Sequence, residues 1–184
     1  MERMTFEAEG YRAAPADAEH SRLIEGYAAL FDSDSRDMFG VIETVRSTAF
    51  NKTLGEFDQR SLLDHDTQKI LGRVSAGTLR LETDERGLKF SVDVPETSYG
   101  NDLLVSSRRG DIKEMSFGFD TILDKWEFSE DGRQARRELI EVRLFEVSPV
   151  SFPAYEGTSF KVRSLLESAE EAGQEFLHFV ENNR

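Results

Sequence analysis

A chain of 184 residues is the length of one domain with some tail, and it is long enough to bury a core. Its net charge of −13 and its pI near 4.7 exclude a binder of nucleic acid or of an anionic membrane, since either needs clustered lysine and arginine. Without cysteine it has no disulfide, no thiolate nucleophile and no cysteine-type zinc site, which suits a reducing cytoplasm.

In chain order, residues 1–6 lack the apolar core of a signal peptide, and no apolar run further on reaches the length of a spanning helix. The expectation is a soluble protein of intracellular type. Residues 1–21 are rich in alanine, glutamate and arginine, contain Pro15 and show no sustained period, so they read as a flexible arm. Residues 23–31 and 41–45 read as strands separated by a polar turn. Ser47 is placed to cap a short helix that runs through Phe50 and Leu54 and stops near Gly55. Leu62 and Leu63 then lead directly into Asp64, His65 and Asp66.

The clearest strands are 70–75, 78–83 and 88–94, the last two joined by a turn that closes on Gly87. Thr97 or Ser98 caps a helix that reaches Arg109 and is stopped by Gly110. Strands follow at 112–119, 122–128 and 135–145, and the chain continues extended through Val147 and Val150 to residues 152–155. From Ser164 apolar residues recur at three and four, which marks an amphipathic helix able to close the core or dock on a partner. The whole is mainly β with inserted helices (α+β): one domain over 22–166 and an amphipathic helix or tail over 167–184.

Chemistry concentrates in few residues. Alternation along 112–119 puts Ser116 and Gly118 on one strand face and Met115, Phe117 and Phe119 on the other, and the glycine admits a close neighbour beside the hydroxyl. Taken alone, this is also what a half-buried strand with an incidental serine looks like. Of the three histidines, only His65 sits where a fold would hold it rigidly; it is either a base flanked by Asp64 and Asp66 or an ordinary polar residue opening a loop. Those three residues are too few donors for a convincing metal site. A base that activates serine needs a third group to fix its tautomer. Glu146 suits that part, because a lone acid in the apolar run 144–150 needs a partner to offset its desolvation. Ser148 and Ser151 are rival hydroxyls, but the nearby prolines suggest a turn there.

The ordered motifs Gly-Tyr-Ala-Ala-Leu-Phe at 26–31, Ser-Thr-Ala-Phe at 47–50, Leu-Leu-Asp-His-Asp at 62–66, Leu-Gly at 71–72, Met-Ser-Phe-Gly-Phe at 115–119 and Glu-Val-Ser-Pro-Val-Ser-Phe-Pro-Ala-Tyr at 146–155 together resemble the prohead (capsid maturation) proteases of HK97-type tailed bacteriophages. That resemblance implies a serine endopeptidase distantly similar to the herpesvirus assembly proteases, with a Greek-key-type β-barrel surrounded by helices. It makes Ser116 the nucleophile and His65 the base, and no cofactor or metal is required. The herpesvirus enzymes carry a second histidine as third member, so here Glu146 would substitute, and the oxyanion donors are unassigned. The implied partners are the major capsid protein, through its scaffolding segment, and the enzyme itself as substrate; self-association into a homo-oligomer is left open. The implied location is the host cytoplasm, inside the procapsid. Two other classes stand beside this one: a non-catalytic capsid or scaffold-interaction protein on the same fold, and a metal-dependent hydrolase using Asp64, His65 and Asp66.

Overall fold

The computed structural model describes residues 1–35, 40–129, 134–152, 169 and 171–174. Its elements are β1 (Glu2–Glu7), β2 (Arg12–Ala13), β3 (Leu23–Leu30), β4 (Val41–Val45), α1 (Thr53–Glu56), β5 (Arg60–Leu63), β6 (Asp66–Arg73), β7 (Leu79–Thr83), β8 (Gly87–Asp93), α2 (Ser98–Arg109), β9 (Glu114–Phe128) and β10 (Ala135–Val150). The fold is mainly β with few helices. One sheet runs β1-β9-β10-β5-β6, with β4 also paired to β10, and the second runs β2-β3-β8-β7. A bridge between Phe31 and Val45 joins the two.

The centre is the long ribbon of β9 and β10, antiparallel from Phe128 beside Ala135 to Glu114 beside Val150. On the far edge of β10, β4 runs parallel along 135–139 and β5 runs parallel beside Glu146 and Val147. The inward faces meet in one core that includes Ile24, Phe50, Phe90, Phe117, Phe119 and Leu139, none more than 1 % exposed. Each such side chain contributes roughly 1.5–3 kcal/mol by leaving water. Phe117 is edge-on to Phe50 at 5.5 Å and tilted against Phe119 at 5.0 Å, so the strand that carries Ser116 is anchored by its opposite face.

Helix α2 follows its sequence signals closely. The Thr97 hydroxyl accepts from Gly100 N at 3.2 Å, and Gly110 ends the helix in the left-handed region, where a side chain would be strained. Elsewhere the structure differs from expectation. The segment expected to be a flexible arm contains β1, paired to β9, and β2, paired to β3; six residues are too short a window for alternation to stand out. The first helix is the single turn α1, preceded by Lys52 with no side-chain cap, whereas residues around Ser47 form turns. The strands expected at 112–119 and 122–128 are one strand, and β10 continues through Pro149, whose carbonyl accepts from Asp64 N at 3.0 Å. Most of the helix expected from Ser164 lies outside the described residues; Ala169 and residues 171–174 are helical, and Ala169 packs, as Trp126 and Phe128 do, against the cluster of Val41 and Ala135.

A second buried feature lies at the other end of β10. Arg137, 3 % exposed, pairs with Glu2 at 2.5 Å, Asp124 at 2.7 Å and Glu43 at 3.1 Å, and its guanidinium lies over the Trp126 ring. Burial alone would weaken its charge, but these carboxylates outweigh burial and raise its pKa above the usual guanidinium value. Removing the cation would leave the buried Glu43 beside two further carboxylates. Arg137→Met is therefore expected to lower unfolding free energy by about 3–5 kcal/mol, read from the urea midpoint at neutral pH.

Candidate active site

Strands β5 and β6 form a hairpin in which Leu63 pairs with Asp66, leaving Asp64 and His65 as a two-residue turn. Both turn residues have positive φ, 50° and 59°, as a type I′ turn requires. Aspartate and histidine enter that region more readily than most side chains, yet it still costs about 1–2 kcal/mol per residue. The turn is tied down in return: the Asp64 carboxylate accepts from Ser151 N at 2.7 Å and from Ser151 Oγ at 2.9 Å. The hairpin tip is thereby fixed to the end of β10.

This arrangement sets His65 against Glu146. Nδ1 and Oε1 are 2.6 Å apart, with the side chains 9 % and 4 % exposed, so water hardly competes. An ionised carboxylate can only accept, so the contact puts a hydrogen on Nδ1 and leaves Nε2 as the acceptor. The other carboxylate oxygen, Oε2, accepts from Ser148 Oγ at 2.5 Å. Asp66 turns elsewhere: it accepts from Gln68 N at 2.9 Å and pairs with Lys69 at 3.2 Å, and these, the backbone bond first, hold its carboxyl below the usual range. Asp64, His65 and Asp66 thus have three separate sets of partners, and among the described residues no three histidine, aspartate or glutamate side chains are arranged to hold a metal ion.

Glu146 reaches the histidine because β10 is irregular. Leu144 pairs with Phe119 but Glu146 pairs with Gly118, so Phe145 is an extra residue in the ladder. Without that bulge Glu146 would oppose Phe117 on the core face. With it, Glu146 and Ser148 share a face with Gly118 and Ser116, each opposite its partner in register. Gly118 is the close approach that this requires: a Cβ there would lie 2.4 Å from Glu146 Oε1. Ser116 is fully buried, and its hydroxyl donates to the carbonyl oxygen of Met4 at 3.0 Å. His65 Nε2 is also buried and has no hydrogen-bond partner among the described residues. The hydroxyl thus lies on the sheet face that also carries Glu146, the ring lies against Glu146, and the hydroxyl and the ring are not hydrogen-bonded to each other.

The expectation of a turn at Ser148 gives way to a strand residue that holds Glu146. The pattern Glu-x-Ser on one strand was a usable signal, because residues two apart share a face.

A family model described as caudovirus prohead serine protease matches residues 10–173. Among solved structures, the bacteriophage T4 capsid assembly protease gp21 is 15 % identical, with a TM-score of 0.49 over 82 % of this chain and 99 % of that one. Among curated protein sequences nothing matches.

Two outcomes follow from this geometry. Gly118→Ala is expected to push the Glu146 carboxylate off the ring and lower turnover on the order of 10²-fold with little change in thermal midpoint, since the clash is with a side-chain end and not with backbone. Glu146→Gln is expected to lower turnover by up to about 10⁴-fold, the cost of losing the carboxylate from a Ser-His-Asp triad. Asp64→Asn and Asp66→Asn should cost far less. Single-turnover rates on the four folded variants check both, and an Asp64→Asn or Asp66→Asn enzyme slower than Glu146→Gln would move the orienting acid to the turn.

Proposed function

Because the chain belongs to the caudovirus prohead serine proteases and is thus a serine protease of capsid maturation, we propose that Ser116, His65 and Glu146 carry its reaction. The observation that supports this reading best is the nearly buried His65–Glu146 contact, which leaves Nε2 without a partner among the described residues, while the sheet face that carries Glu146 also carries Ser116. In the reaction, Nε2 takes the Ser116 proton as Oγ attacks a peptide carbonyl carbon, and Glu146 stabilises the imidazolium that forms. Backbone N–H groups hold the oxyanion. The imidazolium then protonates the departing amine, and a water, deprotonated by the same nitrogen, releases the acyl group and restores the serine. Every step uses protein groups and water alone.

The order of the motifs from Gly26 to Tyr155 supports a place among the HK97-type members. The substrates on this reading are the scaffolding segment of the major capsid protein and the protease itself, cut inside the procapsid in the host cytoplasm. A strongly acidic enzyme needs contacts outside its active site to be retained there, and residues from Ser164 onward are where such contacts are sought.

Co-expression with the capsid protein, followed by mass measurement of both chains, tests the proposal. Wild type should shorten the capsid protein, while Ser116→Ala and His65→Ala should each leave it intact, because losing one member of such a unit costs about as much as losing several. Processing at near wild-type rate by either folded variant would end the assignment.

A further inference from the structure

Strand β1 is the outermost strand of its sheet and lies along the edge of β9 that carries Ser116. Its register is antiparallel and unbroken from Glu2 beside Phe119 to Glu7 beside Glu114. Thr5 pairs with Ser116, and Met4, the residue before it, offers its carbonyl oxygen to the serine hydroxyl at 3.0 Å. The serine beneath is fully buried. No second polypeptide can reach that hydroxyl along the strand while β1 is seated.

The seated strand has the features of a bound extended peptide. Main-chain pairing to a sheet edge supplies affinity, and pockets for alternate side chains supply selectivity. Met4 is fully buried on the face of Phe117, whereas Met1 Sδ reaches over Gly118, 3.2 Å from where a Cβ would stand. The serine gives its hydrogen to the carbonyl oxygen and not to His65 Nε2, so the strand is held without being attacked. Its departure is also tolerable. Glu2 is one of three carboxylates on Arg137, and Glu43 and Asp124 remain when it leaves.

We propose that the outer edge of β9 is where a substrate polypeptide pairs as an added antiparallel strand, and that β1 is its resident occupant. Met4 stands in the place of the substrate residue whose carbonyl is presented to Ser116. The site accordingly takes an extended segment with an unbranched apolar residue of about methionine's size at that position, its side chain turned toward the core. This rests on Ser116 being the nucleophile.

The test uses the full chain, which has no cysteine of its own. Glu7→Cys with Glu114→Cys places thiols on register partners at one end of the ladder. Oxidation locks β1 in place and dithiothreitol frees it. The probe is a fluorophosphonate, with the adduct mapped by mass spectrometry. Labelling of Ser116 should fall about tenfold or more on oxidation and return on reduction, because reactivity scales with the fraction of molecules whose edge is open. Met4→Asp, which disfavours the seated strand, should label faster than wild type. Equal labelling of Ser116 in the oxidised and reduced forms would overturn the inference and leave the nucleophile standing. Labelling of Ser116 in none of the forms would overturn the nucleophile assignment and the inference with it.

Discussion

One inserted residue decides which way a buried carboxylate faces. The bulge at Phe145 takes a strand whose alternation would bury Glu146 against Phe117 and hands that carboxylate to the opposite face. Since side chains change face with every residue, a slip of one along this part of the β9–β10 ribbon would exchange the apolar set for the polar one. The aromatic contacts of Phe117 with Phe50 and Phe119 resist such a slip, because they seat only when that residue faces the core. Hydrophobic packing on one side of β9 thus sets the position of a hydroxyl on the other.

The same ribbon carries two buried ionic arrangements of different character. Around Arg137 several carboxylates converge on one cation, which leaves that group well compensated and ties together β1, β4, β9 and β10. Glu146 instead has a serine on one oxygen and a histidine on the other, both neutral as donors when the ring carries one proton. A carboxylate held in this way gains most when the ring becomes charged. The first arrangement balances its charges as it stands, whereas the second would balance fully only with a protonated ring.

How far the sequence could be read depended on how local the signals were. Thr97 and Gly110 mark both ends of α2 by chemistry that acts within four residues, and the alternating rows of β7 and β8 around their turn are equally local. Met115, Phe117 and Phe119 disclosed the apolar core face of β9 by period alone, though not that the face of Ser116 is buried as well. Glu146 stood out as an acid in apolar surroundings. The bulge did not, because the apolar run reads the same with Phe145 in the ladder or outside it, and only the partner strand distinguishes the two. The hairpin at Asp64 and His65 lacks the glycine that usually announces such a turn, so its two positive φ angles were hidden behind ordinary residues. The prolines around Ser148 suggested a turn where tertiary pairing holds a strand.

The separation between the first strand and its partner has a consequence for the order in which the molecule is built. Met4 and Ser116 are 112 residues apart, so β1 leaves the ribosome long before the edge that receives it exists. Contacts of such wide sequence separation are costly to close and form late. The β9–β10 ribbon, whose partners lie close in sequence, has the means to assemble while the amino-terminal strand is still unpaired. Until β1 docks, the edge of β9 beside Ser116 has no strand partner on that side, so wide sequence separation favours a folding order in which this edge is completed last.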